Sequence, residues 1–199
     1  MNFALLSKNL DFLHHFPQSE FKEKLSLYER LFNDFVLVHN ISHFKELEKE
    51  LIDSLKIIDF KDFSQDKIII DIGSGAGFPA LFLALVLKAN FYLFEPNSKK
   101  AAFLMLSKSK LELNNVFVIK EKIELYKDKF KANIITSRAL MDINSLARLC
   151  AGFFDEKTTF LLYKGSGVYE ELKNVKEYEI IEFNKRKYTL ISGKEFIAK

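Results

Sequence analysis

The sequence predicts an α/β chain: a parallel β-sheet with helices on both faces, entered through a separate helical segment. Three observations predict it. Residues 67–87 (KIIIDIGSGAGFPALFLALVL) join a β-branched run to a glycine turn and then to an apolar stretch with no charge before Lys88. Four further short apolar runs follow, separated by segments long enough for a helix or a loop. Residues 1–62 show helical spacing instead.

Taken in order, residues 1–16 read as a short helix ending near Pro17, which cannot continue one. Ser19 is placed to cap a second helix over 19–35, where Phe21, Leu25, Tyr28, Leu31, Phe32 and Phe35 recur on one face. A break over 36–42 follows. Ser42, supported by Glu46, then caps a third helix over 43–58, with Phe44, Leu47, Leu51, Leu55 and Ile58 along its apolar side. Residues 61–66 form a joint, which divides the chain into a helical cap, 1–62, and a sheet domain, 63–199.

In the sheet domain the expected strands are 68–72, 91–94, 116–119, 133–136 and 159–163. The expected helices are 80–88, 98–113 and 143–153, with a loop or short helix near 123–126. Two late runs, 178–184 and 187–192, read as an antiparallel pair whose turn carries Lys185, Arg186 and Lys187. Ligands of parallel sheets bind beyond the carboxyl ends of the strands. That rule gathers 73–78, Glu95, 122–124 and 136–138 on one rim.

The 199 residues are 48% hydrophobic, enough for one sizeable core, and carry a formal charge of +3. The charge is uneven: residues 1–62 sum to −3 and residues 63–199 to +6. A basic sheet domain suits a polyanionic partner, although solvated lysine faces give the same count. Cys150 is the only cysteine, which excludes an intramolecular disulfide and reads as a buried, inert thiol in a reducing compartment. No apolar run approaches the roughly 20 residues that span a bilayer, and no secretory leader is expected. His14 and His15 have no partner at metal-ligand spacing, so no metal site is expected.

The glycine turn carries the chemistry. Gly73, Gly75 and Gly77 permit positive φ and close approach of a ligand to the backbone, and a helix N-terminus follows. The spacing G-x-G-x-G differs from the dinucleotide pattern G-x-G-x-x-G, which disfavours a dehydrogenase. With Asp71 before it, the turn resembles the first motif of S-adenosylmethionine-dependent methyltransferases. Glu95 ends the second strand 22 residues beyond Gly73, close to the offset of about 20 at which a carboxylate accepts both ribose hydroxyls of a nucleoside. The competing readings are a structural turn without a ligand and a solvated acid.

Further segments narrow the resemblance. Asn40-Ile41-Ser42, Asp53-Ser54, the run from Asp71 through Phe78-Pro79, Lys99-Lys100-Ala101-Ala102-Phe103-Leu104, Ser137-Arg138-Ala139 and Lys164-Gly165 occur in the order seen in one family. Together they resemble the guanine-N7 methyltransferases of small-subunit ribosomal RNA, the glucose-inhibited division protein B family. The resemblance implies a Rossmann-like methyltransferase fold with an N-terminal helical cap, S-adenosyl-L-methionine as cofactor, and one guanine of 16S rRNA as acceptor. It implies a cytoplasmic protein acting on the small ribosomal subunit, with no membrane partner, and a monomer. Cofactor contacts are implied for Asp71, Gly73, Gly75, Gly77, Phe78, Glu95, Ile123, Glu124 and Arg138. Arg138, Lys164, Lys99 and Lys100 are the residues proposed to meet RNA. Three positions depart from the family pattern: Glu50 stands for a histidine, His39 for a tyrosine and Ala80 for a glycine.

Guanine N7 is a lone-pair acceptor without a proton, so methylation there needs no general base, and no catalytic acid or base is nominated. The alternatives are a methyltransferase of another acceptor and a non-catalytic RNA-binding module that keeps the turn.

Overall fold

The computed structural model describes residues 1–39, 46–138 and 140–197. The Asn40-Ile41-Ser42 motif, the Ser42 cap and Ala139 lie outside the described residues. Seven strands form one sheet: β1 (Ile68–Ile72), β2 (Asn90–Phe94), β3 (Val116–Ile119), β4 (Ile134–Arg138), β5 (Thr159–Lys164), β6 (Tyr178–Phe183) and β7 (Arg186–Ser192). Their order is β3-β2-β1-β4-β5-β7-β6. The first five run parallel, and β7 pairs antiparallel with both β5 and β6. The chain therefore winds one way through β1, β2 and β3, then reverses to β4. The reversal opens a crevice between the carboxyl ends of β1 and β4, where open α/β sheets take their ligands.

The helices are α1 (Phe3–Asn9), α2 (Gln18–His39), α3 (Leu47–Leu55), α4 (Ala80–Val86), α5 (Ser98–Lys110), α6 (Ile143–Leu149), α7 (Val168–Glu171) and α8 (Lys194–Ile197). Alternation along β1 sorts the core into two faces. Ile69 packs with α4 and with cap residues such as Leu6, Leu25, Tyr28 and Leu51. Ile70 and Ile72 pack with Ile143, Leu146 and Cys150 of the α6 region. The cap thus shares one continuous core with the sheet.

Several boundaries differ from expectation, each for a local reason. The first helix divides: α1 is capped by the Asn2 side chain on the Leu5 N–H, and a 3-10 turn over Asp11–His14 follows, with two backbone N–H groups bonded to Asp59. α2 begins at Gln18, so Ser19 lies inside the helix and does not cap it. The helix also runs through the expected break to His39, since no Gly or Pro interrupts 18–39. α3 ends at Leu55, and Ile58 falls in a 3-10 turn. β4 extends to Arg138, because Ser137 and Arg138 still pair with Leu162 and Tyr163 of β5. α4, α5 and α6 each stop short of the expected end. Arg186 and Lys187 belong to β7, which leaves Asn184 and Lys185 as the turn.

Candidate active site

The glycine turn connects the end of β1 to α4. Gly73, Gly75 and Gly77 have φ of +71°, +57° and +98°. A Cβ at Gly77 would stand 2.8 Å from the Leu81 Cβ, so glycine is required there by packing of the turn on α4. A Cβ at Gly75 would meet only one backbone oxygen, 3.8 Å away. Gly75 therefore turns its Cα face outward, where a ligand can approach the backbone. The Gly73 N–H donates to the Phe94 carbonyl (2.9 Å) and the Gly77 N–H to the Ser74 carbonyl (2.7 Å), which sets the turn between β1 and β2.

The cap holds this turn from behind. The buried Tyr28 hydroxyl donates to the Ala76 carbonyl at 2.6 Å, across 48 residues of sequence. Its ring meets Phe82 edge-on at 4.7 Å and Phe78 at 6.0 Å. The helical periodicity of α2 marked Tyr28 as core, but nothing in it signalled a bond to the glycine turn.

Two carboxylates flank the turn. Glu95, 5% exposed, accepts the Gly75 N–H at 2.8 Å through Oε2 and the Asn97 N–H at 2.9 Å through Oε1. A carboxylate offers about four lone-pair sites, so each oxygen keeps one for a further donor. Asp71 is 1% exposed, and among the described residues neither carboxylate oxygen has a hydrogen-bond partner. The Ser74 hydroxyl, close by, is directed to the Asp71 backbone carbonyl at 3.3 Å. Burial pushes the Asp71 carboxyl up from its usual 3.8 to about 7, against the opposing pull of Ser74 and Arg138. A buried carboxylate without a donor is costly unless a ligand supplies one.

Ile123 opens a 3-10 turn after β3 and is buried against the cluster that holds Ile72 and Phe94, while Glu124 beside it is exposed. Both sit on the rim as expected. Lys99 and Lys100 begin α5, where their N–H groups bond to the Asn97 side chain.

Across the crevice, Arg138 ends β4. Its Nη1 meets Glu50 at 2.5 Å and Asp53 at 3.3 Å, both on α3, and its guanidinium lies 5.0 Å from the Phe78 ring centre. Asp53 also accepts from Arg186 Nε at 2.7 Å. The backbone carbonyls of Asp53 and Ser54 accept the Tyr188 and Tyr163 hydroxyls, both at 2.8 Å. The acid at position 50, which departs from the family pattern, is thus a direct partner of the rim arginine. The sequence places Arg186 in the β6–β7 turn, with no sign there of its pairing with Asp53. The available signal was the Glu50/Asp53 spacing, which puts both acids on one helical face. Lys164 is engaged elsewhere: its ammonium donates to the Met141 carbonyl (2.6 Å) and to Glu171 (2.7 Å).

Among the described residues no cluster of three or more His, Cys, Asp or Glu is arranged to hold a metal, and no helix is long and apolar enough to cross a membrane. Cys150 is buried, which pushes its thiol up to about 12.

Comparison with known proteins places this geometry. Residues 21–195 match the family described as rRNA small subunit methyltransferase G. A ribosomal RNA small subunit methyltransferase G of Campylobacter jejuni subsp. doylei is 51% identical over 94% of this chain and all of its own. One from Helicobacter pylori is 42% identical over 78% of this chain and 86% of its own. Among solved structures, a putative S-adenosyl-L-methionine-dependent methyltransferase of Methanococcus maripaludis superposes with a TM-score of 0.58 at 15% identity, covering 83% of this chain and 92% of that one. A precorrin-6y C5,15-methyltransferase of Geobacter metallireducens does so at 0.55 and 13%, covering 78% and 94%. The fold is the Rossmann-like methyltransferase fold, and the chain belongs to the rRNA small subunit methyltransferase G family.

Proposed function

We propose that the protein transfers a methyl group from S-adenosyl-L-methionine to N7 of a single guanine in the 16S RNA of the small ribosomal subunit. The observation that carries the cofactor is the pair of carboxylates on either side of the glycine turn. Glu95 has lone pairs left for two ribose hydroxyls. Asp71 has two buried oxygens with no partner among the described residues, which fits the α-ammonium of a methionyl group. The outward backbone of Gly75 admits the ligand, Gly73 and Gly77 shape the turn, and Phe78 and Ile123 supply apolar walls with Glu124 at the edge.

The cofactor supplies an electrophilic methyl on sulfur. The chain's own task is alignment and exclusion of water, because guanine N7 attacks with a lone pair it already presents at neutral pH. No residue need remove a proton, and on the acceptor rim the carboxylates of Glu50 and Asp53 are engaged with Arg138 and Arg186. Arg138, positioned by Glu50 and Asp53 beside Phe78, stands on the acceptor rim, where a guanidinium suits the O6 edge of guanine next to N7. Lys99 and Lys100 are placed to meet the RNA backbone. The protein is taken to act on the small subunit as a cytoplasmic monomer, in keeping with the rRNA methyltransferases of its family.

The test is methyl transfer from labelled cofactor to small subunits prepared from a strain lacking this activity, followed by mapping of N7-methylguanine. A single labelled guanine in 16S RNA is the expected result. Label in protein, or on another atom of the base, would overturn the reading.

A further inference from the structure

A groove of about 780 Å³ lies on the same rim as the active site, between the cap and the β6–β7 turn. It falls in the range of about 300–1,000 Å³ typical of ligand sites. Leu5, Ile52 and Phe183 line its walls, and Lys49, Lys185 and Arg186 carry its positive charge. Glu50 and Asp53 also line it, and the same two acids hold Arg138 beside Phe78. The groove is therefore continuous with the acceptor side of the crevice.

We propose that this groove receives the single-stranded RNA next to the target guanine, with one base against the apolar walls and its phosphates at Lys49 and Lys185. The inference rests on the rRNA methyltransferase reading of the neighbouring site. Charge favours this occupant. Arg138 and Arg186 already match the two carboxylates. Lys185 is exposed and makes no ion pair among the described residues, and Lys49 is held only by an exposed pair with Glu46. Such a pair contributes little and exchanges readily for phosphate. Unstacked bases stack on aromatic rings, here Phe183, while cations follow the backbone, which is the usual mode for single strands. Lys164 cannot take this part without leaving Glu171 and the Met141 carbonyl, so the rim cations that meet phosphate lie one strand further out.

The experiment is co-sedimentation of the full chain with unmodified small subunits across a salt series, with the cofactor's affinity measured in parallel. Lys49→Ala/Lys185→Ala is expected to weaken subunit binding about tenfold and to flatten the salt dependence by about 1.4 in log K per log salt, the loss of two single-strand phosphate contacts. Leu5→Asn, at an exposed position, is expected to weaken binding with the salt slope unchanged. Cofactor affinity should stay at the wild-type value in both. Unchanged subunit affinity and slope in both variants would overturn the groove while leaving methyl transfer by the wild type intact. Groove-dependent binding without any methyl transfer would instead overturn the reaction reading and leave the groove standing. Loss of cofactor affinity together with subunit binding would assign the effect to the fold and overturn the groove.

Discussion

The two sides of the crevice are built in different ways. The cofactor side comes from one nearly continuous stretch, β1 through the end of β2, in which backbone geometry does most of the work: three glycines with positive φ, a short helix behind them and two carboxylates. The acceptor side is assembled from α3, β4 and β7, segments up to 133 residues apart, and is held by charge: Glu50, Asp53, Arg138 and Arg186. Among the described residues the cofactor side keeps the Asp71 carboxylate unsatisfied, whereas the acceptor side pairs its carboxylates with Arg138 and Arg186. A site that takes an identical small molecule each time can be left waiting for its donors. A site that meets a large polyanion needs cations that hold their place until it arrives.

This contrast orders the experiments. The largest effect belongs to Gly77→Ala, which combines a φ of +98° with a Cβ 2.8 Å from Leu81. It should cost roughly 2–4 kcal/mol of stability and abolish cofactor binding together. Gly75→Ala, with open space before it, should cost only about 1 kcal/mol yet weaken the cofactor more than tenfold. Thermal melts with and without cofactor would separate the two; equal losses of stability would break the claim that Gly75 is open for the ligand.

Glu95→Gln comes next. It keeps the shape but halves the acceptor capacity, and should weaken cofactor binding roughly 10–100-fold by calorimetry. Wild-type affinity in this variant would remove the ribose contact.

Asp71 predicts a pH dependence. Its folded value of about 7 lies above its usual 3.8, so the folded protein retains a proton that the unfolded chain has released between these values. Stability should therefore fall as pH rises from about 4 to about 7, and level off above. Cofactor affinity should rise over the upper part of that range, by about tenfold from pH 6 to pH 8, as the carboxylate forms to meet the ammonium. Asp71→Asn should flatten both trends. The smallest effect is Asp53→Asn, which retains an acceptor for Arg186 and should lower methyl transfer severalfold with cofactor affinity unchanged.

The same contrast explains what could be read from the sequence. Isoleucines before a run of glycines announce a strand and a turn without tertiary information, so β1 and the glycine turn were legible in the sequence. Glu95 was legible because its partner strand lies next in both sequence and space. The fold's alternation was equally plain; the first helix divided, α2 ran longer and several helix and strand ends shifted, since capping and pairing depend on neighbours such as Asp59 and β5. The acceptor side was not legible beyond Arg138. No local pattern pairs Glu50 with Arg138 or Asp53 with Arg186, because those pairs exist only once α3 packs over the ends of β4 and β7. Tyr28 was visible as a core residue, yet its bond to Ala76 required the cap to be docked.

The division between the two sides is tested most directly on Arg138→Ala, with cofactor affinity measured by calorimetry and single-turnover methyl transfer measured on unmodified small subunits. The account predicts cofactor affinity within about threefold of wild type and transfer slowed about a hundredfold, the loss of one charged positioning contact. Affinity and transfer falling by the same factor would put Arg138 on the cofactor and contradict it.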